Sequence, residues 1–377
     1  MRQEELALLI REFPDRSIRW LLETPDNVRG LLLATVEDLA DRIDYKQLQL
    51  VDRTFIPDDL RKREADMIFI APFSDEQGDP PREVIIYILI EHQSTVDPTM
   101  PFRMLYYMVQ IWEMQRREWE DQGIPQHQWR FRPILPLVFY TGDRKWESPL
   151  DMKHIVDLPA SLERFVPQHE TLFLNLKAAA PEQLVRENHP FGWILRVIQK
   201  ERATSEEFKE ALRLTVEHLE QMSPAEWVNW EKLMRFLLML IYHRREQSER
   251  DGFLDTVETN VAERSRKEEL DKMGKTIAQT LIEEGKEIGK EEGKEIGEKI
   301  GKEIGKEIGK EIGTVTTKQE VLIKLLRREL GQLPQSLIEK VRSIQRGEEL
   351  DALIDFVIEA ETADEVKSKV AEILTAS

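Results

Sequence analysis

Two acids and one amide have the types and spacing for hydrolytic chemistry in this chain. Asp66 heads the apolar run Met67-Ile68-Phe69-Ile70, and Glu91 and Gln93 close the run Ile85-Ile86-Tyr87-Ile88-Leu89-Ile90. Each run is rich in isoleucine and too short for an ordinary helix, so each reads as a buried strand and the two together as a hairpin. Antiparallel pairing then sets Asp66, where the first strand begins, beside Glu91, where the second stops, at one edge of the sheet. Two carboxylates there offer hard oxygen ligands to a divalent cation such as Mg²⁺, with water and substrate phosphate filling the remaining positions. Gln93 shares the face of Glu91 by the period-two alternation of a strand. Its amide can hold a water but carries no positive charge. The spacing alone is equally consistent with two strand-end carboxylates that bind nothing.

The elements that must position these residues follow from pattern. Residues 16–42 read as helices, with Ile18, Leu21 and Leu22, then Val28, Leu31, Leu32, Val36 and Leu39, recurring at three- and four-residue steps. Residues 45–55 alternate, Leu48 and Leu50 against Gln47 and Gln49, and predict a first strand. Ile56-Pro57-Asp58-Asp59 turns the chain toward Asp66, the two acids reading as turn or cap residues. Residues 74–81, with Asp, Gly and two prolines, join the central strands. A helix over residues 100–119 is expected to pack Phe102, Leu105, Tyr106, Val109 and Trp112 on the sheet, with Gly123-Ile124-Pro125 ending it. Residues 134–140 form a fourth strand, and residues 169–176 are a candidate fifth.

The segment Leu89-Ile90-Glu91-His92-Gln93-Ser94-Thr95-Val96-Asp97-Pro98, continued by Met100-Pro101-Phe102-Arg103-Met104-Leu105-Tyr106-Tyr107, resembles the signature of the Rpn family of recombination-promoting nucleases. That family, also labelled transposases, is a branch of the PD-(D/E)XK nucleases. Phe13-Pro14-Asp15, Asp58-Asp59-Leu60-Arg61 and Leu137-Val138-Phe139-Tyr140-Thr141-Gly142 agree with it in order, so the resemblance covers roughly the first half of the chain. It implies an α/β fold, a restriction-endonuclease-like core with a mixed central sheet flanked by helices, plus a helical C-terminal region. It also implies Mg²⁺ or Mn²⁺ held by Asp66 and Glu91, DNA as partner, and phosphodiester hydrolysis leaving a 3′-hydroxyl in the service of recombination or transposition. The residue two beyond the glutamate, usually Lys in the superfamily, orients or activates the attacking water. Gln93 stands there in this chain. A neutral amide gives little help with charge building on phosphate, so a cation from elsewhere is attractive, and Arg103 on the following helix is the candidate, equally readable as a solvated helix residue. The same departure leaves open a pseudo-nuclease that binds DNA or protein without cleaving.

Composition bounds the rest. The 377 residues, 41% of them apolar, are enough for two or three modules. The absence of cysteine excludes thiolate metal sites, thiol nucleophiles and disulfides. The start Met1-Arg2-Gln3-Glu4-Glu5 is too charged for a signal peptide, and no apolar run approaches the roughly 18 residues that span a bilayer, so a cytoplasmic protein without membrane partners is expected. The formal charge of −18 argues against a nucleic-acid partner unless a metal and a local patch compensate. Candidate patches are Arg61-Lys62-Arg63, Arg116-Arg117, and Arg144 with Lys145 in the loop Thr141-Gly142-Asp143-Arg144-Lys145-Trp146, each also readable as ordinary surface charge. The seven histidines show no zinc spacing, and His92 reads as structural. No Walker loop, dinucleotide fingerprint or nucleophile elbow is present.

Four stretches are expected: a nuclease-like domain over residues 1–180, a helical extension over 181–250, a charged linker over 251–313 and a small helical domain over 314–377. Thr204 with Glu207 and Ser223 with Glu226 fit capping boxes in the extension, as do Thr317 with Glu320 and Thr362 with Glu365 in the tail. The linker ends in a low-complexity Gly-Lys-Glu-Ile repeat whose isoleucines drift about 40° per four-residue step, so no heptad seam forms. Its glycines cost more helix stability than its Glu–Lys pairs return, which predicts a marginal helix or flexible spacer, with helical self-association as the alternative. Beyond it, Gly331 and Gly347 mark expected helix ends. The run Leu325-Leu326-Arg327-Arg328-Glu329-Leu330-Gly331-Gln332-Leu333-Pro334 resembles a small helical domain found behind nuclease-like domains, which implies docking or homo-oligomer formation through this region.

Overall fold

The computed structural model describes residues 2–51, 66–75 and 82–375. After three short helices, α1 (Gln3–Arg11), α2 (Asp15–Leu22) and α3 (Pro25–Leu33), the chain enters a five-stranded mixed sheet of order β1-β2-β3-β4-β5. Its strands are β1 (Gln49–Leu50), β2 (Asp66–Asp75), β3 (Arg82–Gln93), β4 (Ile134–Tyr140) and β5 (Leu172–Asn175). β2 and β3 form the expected antiparallel hairpin, whereas β3, β4 and β5 run parallel. A parallel step needs a crossover, and helix α4 (Met100–Asp121) supplies it between β3 and β4.

The near-continuous apolar run of β3 reflects burial on both faces of a central strand. Ile86, Ile88 and Ile90 point into a core shared with α1, α2 and α3, while Tyr87 and Leu89 point the other way against α4. The first core also takes helices α5 (Pro190–Gln199), α6 (Ser205–Leu219), α7 (Trp227–Arg244) and α8 (Gln247–Asn260). Both expected capping boxes are formed at Thr204 and Ser223. Asn27 on α3 and Asn229 on α7 exchange amide hydrogen bonds of 3.1 Å in each direction within this interior, across 202 residues of sequence.

Three expectations are corrected. The first strand is only two residues long, with residues 45–47 a 3-10 turn and residues 52–55 outside the described part. Leu48, just ahead of the strand, is buried, whereas Leu50, within it, is 46% exposed, so the two do not share one buried side. The sheet-facing side of α4 is Met100, Met104, Tyr107, Met108 and Ile111; of the expected residues, Tyr106 and Trp112 pack against it partly buried, whereas Phe102 and Val109 are 54% and 46% exposed. Apolar residues occur on two sides of this helix, and the buried Arg103, which looked polar in the pattern, decides between them.

The third correction concerns the cap at Thr317 and the helix end at Gly347, while the repeat takes the helical one of its expected forms. Helix α9 (Arg264–Leu330) runs without interruption through the Gly-Lys-Glu-Ile repeat. Helix nucleation is costly and propagation cheap, and packed turns at Leu270, Met273 and Ile277 on one side and Leu322, Ile323 and Leu326 on the other start the helix at both ends. Thr317 therefore lies inside a helix, its hydroxyl donating to the Gly313 carbonyl at 2.8 Å, and caps nothing. Gly331, with φ of +79°, ends α9 as expected. Gly347 instead opens α11 (Gly347–Glu359), which follows α10 (Gln335–Ser343) and precedes α12 (Ala363–Thr375). The chain divides into two compact units, Met1–Glu284 and Gly285–Ser377, the second with its own apolar cluster around Leu322, Leu337, Val341 and Leu350. Among the described residues, no helix is long and apolar enough to cross a membrane.

Candidate active site

The hairpin register pairs Asp66 with Glu91 directly, Cα against Cα. Glu91 lies on the α4 side of the sheet and is fully buried. One of its oxygens, Oε1, accepts hydrogen bonds from the Gln93 amide and from the Arg103 guanidinium. The other, Oε2, is buried and has no hydrogen-bond partner among the described residues. A buried carboxylate oxygen without a donor is costly to leave unmade. Beside the paired Asp66 position, it is an acceptor of the kind a hard cation requires, so the residues present fit a divalent ion. Among the described residues, no three His, Asp or Glu side chains gather as a complete ligand set.

Arg103 is 5% exposed and reaches Glu91 through Nη2, while Nη1 donates to Asp97 Oδ2 at 2.9 Å. Its guanidinium also lies 5.9 Å from the centre of the Tyr107 ring. Asp97 is held from its other side, Oδ1 accepting from the Thr99 amide at 2.8 Å and the Thr99 hydroxyl at 2.6 Å. Partial burial works against the Asp97 carboxylate, but the Thr99 and Arg103 donors outweigh it and hold its pKa below the ordinary value. Asp97 escaped the sequence reading as a site residue. Its signal was an acid two residues ahead of Thr99 at a helix start, a common capping arrangement with nothing to mark it as part of a charge cluster.

The opposite face of β3 carries His92, whose Nε2 lies 2.9 Å from the Thr141 hydroxyl and whose Nδ1 lies 3.6 Å from Asp15 Oδ1. Burial pushes its pKa down to about 4, against the opposing pull of Asp15, so the ring is neutral at pH 7. Phe13-Pro14-Asp15, Leu89 to Gln93 and the β4 end thus meet in space. The Thr141 amide donates to the Gln93 carbonyl at 2.9 Å, and a Cβ on Gly142 would lie 2.3 Å from the Ser94 carbonyl oxygen. This close approach pins the end of β3 where Glu91 and Gln93 sit.

The weaker nucleic-acid candidates fall differently. Arg61, Lys62 and Arg63, with Asp58 and Asp59, lie outside the described residues. Arg144 and Lys145 are exposed in the loop after β4, with Lys145 Nζ 3.1 Å from Glu147. Trp146 is packed on Tyr140 and Phe173, so its ring is committed to the fold. Arg116 and Arg117 are neutralised along α4, both by Glu113 and Arg116 also by Glu120.

A family model described as "Putative transposase, YhgA-like" matches residues 14–227. The recombination-promoting nuclease RpnA of Escherichia coli K12 is 34% identical over 133 residues, which is 34% of this chain and 39% of the relative. RpnD of E. coli O157:H7 is 28% identical over 131 residues, 34% of this chain and 45% of the relative. The inactive nuclease-like protein RpnE of E. coli K12 is 30% identical over 130 residues, 34% of this chain and 39% of the relative. The chain thus spans less than half the length of these three relatives. No solved structure matches.

Proposed function

Because the chain belongs to the YhgA-like transposase family, we propose that it is a metal-dependent endodeoxyribonuclease with a PD-(D/E)XK-type core, acting in recombination or transposition. Asp66 and Glu91 are the residues that would hold Mg²⁺ or Mn²⁺. The observation that carries this reading is the direct pairing of the two acidic positions together with the donor-free buried oxygen on Glu91. A divalent ion bound there supplies a water of lowered pKa and a positive charge to offset that developing on the phosphate. Gln93, tied to Glu91, orients the carboxylate and can align a water through its carbonyl. Arg103 brings the only guanidinium among the described residues that touches Glu91.

A second reading is favoured by one particular observation. Gln93 is neutral, and its amide nitrogen is already spent on Glu91, so the cation that usually stands two residues past the glutamate is missing. RpnE, a relative whose name calls it inactive, keeps company with that reading, in which the chain binds DNA or protein without cutting.

Plasmid nicking separates them. The full chain with Mg²⁺ is expected to nick supercoiled DNA, and Asp66→Ala and Glu91→Gln are each expected to lose it by at least a hundredfold, on the order of what a lost electrostatic contribution costs. Equal activity in parent and both variants removes these residues from the chemistry, and no activity in the parent selects the non-cleaving reading.

A further inference from the structure

We propose that Asp97 is a positioning residue for the cation of the proposed site, because it restrains Arg103 to a one-point contact with Glu91 and so keeps the second carboxylate oxygen open. The inference rests on the metal-dependent reading above and names the part of the fold that makes a buried glutamate compatible with it.

Arginine prefers to grip a carboxylate with both arms of its fork, one N–H to each oxygen. That grip would occupy both oxygens of Glu91 and exclude a cation. Here the fork serves two acids, with Nη2 also donating to the Tyr107 hydroxyl at 3.4 Å. Nη1 is taken by Asp97 Oδ2 at 2.9 Å, and Nη2 alone goes to Glu91 Oε1. Asp97 cannot follow the guanidinium toward Glu91, since the Thr99 amide and hydroxyl hold its other oxygen at 2.8 and 2.6 Å at the start of α4. Gln93 adds its amide to the same Oε1. Two donors are thereby gathered on one oxygen while Oε2 is left buried and without a partner among the described residues.

Binding of Mn²⁺ to the full chain, followed by calorimetry and by the loss of the free-ion electron paramagnetic resonance signal, tests this without any cleavage assay. Asp97→Asn, which removes the charge that holds Nη1, is expected to weaken Mn²⁺ binding on the order of tenfold, as Arg103 closes on both oxygens of Glu91. Arg103→Gln is expected to bind at least as tightly as the parent, because no fork remains to compete. The double variant is expected to match Arg103→Gln, since Asp97 then has nothing to restrain. Asp97→Glu, which keeps the carboxylate, is expected to stay near the parent and serves if Asp97→Asn fails to fold, as judged by circular dichroism. Unchanged binding in Asp97→Asn, or a defect that persists undiminished in the double variant, overturns the positioning role alone. Equal Mn²⁺ binding by the parent and Glu91→Gln overturns the metal site itself and this inference with it.

Discussion

Glu91 has two oxygens in unequal surroundings, and the chemistry proposed for the site rests on that inequality. Gln93 bears on it directly. Replacing it by Lys keeps a donor to Oε1 and adds a charge facing the phosphate, so Gln93→Lys is expected to raise the single-turnover nicking rate on the order of tenfold. An unchanged rate would mean that Arg103 already supplies the charge. A second residue-scale prediction concerns His243, whose ring stacks 4.7 Å from that of Phe13 and whose Nε2 is buried without a hydrogen-bond partner among the described residues. Burial first, and then the neighbouring Arg244 and Arg250, push its pKa from the ordinary 6.5 down to about 4. The unfolded chain therefore binds more protons between those values, so this contribution is fully present above pH 6.5 and is lost as pH falls toward 4. Urea midpoints measured across that window should fall less steeply for His243→Gln than for the parent. At this scale the strand-end positions of Asp66, Glu91 and Gln93 were legible from local alternation, whereas the contact of Arg103 with Glu91 was not. Asp97, Asp15 and Thr141 were not legible as partners, since their roles depend on which loops meet.

At the scale of elements, the close approach of the loop after β4 to the loop after β3 is the tightest constraint near the site. Gly142→Ala places a methyl against the Ser94 carbonyl and is expected to cost roughly 1–3 kcal/mol, read as a lowered melting temperature, and to reduce nicking as well. The repeat within α9 behaves in the opposite sense. Gly301, Gly305 and Gly309 have open space where a Cβ would go, so Gly305→Ala is expected to add about 1 kcal/mol to local helix stability, visible as slower amide exchange across the repeat. The hairpin, β4 and the capping boxes at Thr204 and Ser223 were readable from period and end signals. Which face of α4 packs was not, because two of its sides are apolar and a buried ion pair settles the matter. Continuity of α9 was likewise hidden, since propensity describes an isolated helix and says nothing about turns packed at its two ends.

For the whole molecule, two compact units, each with its own apolar interior, imply two separate cooperative events. Calorimetry should show two transitions. Trp230, fully buried and lying 5.1 Å from the Arg266 guanidinium, belongs to the first unit, and Trp230→Ala is expected to cost about 3–5 kcal/mol in that transition alone. Leu326→Ala is expected to lower only the other. A single transition shifted by both would show that the units melt as one. The first unit draws sheet, N-terminal helices and later helices into one core, which composition and local pattern could not reveal because the pairing spans most of its length.

The amide pair between Asn27 and Asn229 has a consequence for synthesis. Polar groups that satisfy each other in a dry interior fix one alignment of α3 on α7, because a slip would strand both amides. As 202 residues separate them, α3 leaves the ribosome well before α7 and lacks this partner until α7 has emerged from the exit tunnel. α3 is thus translated long before the helix that secures it, and that interval is when a chaperone would have most to hold.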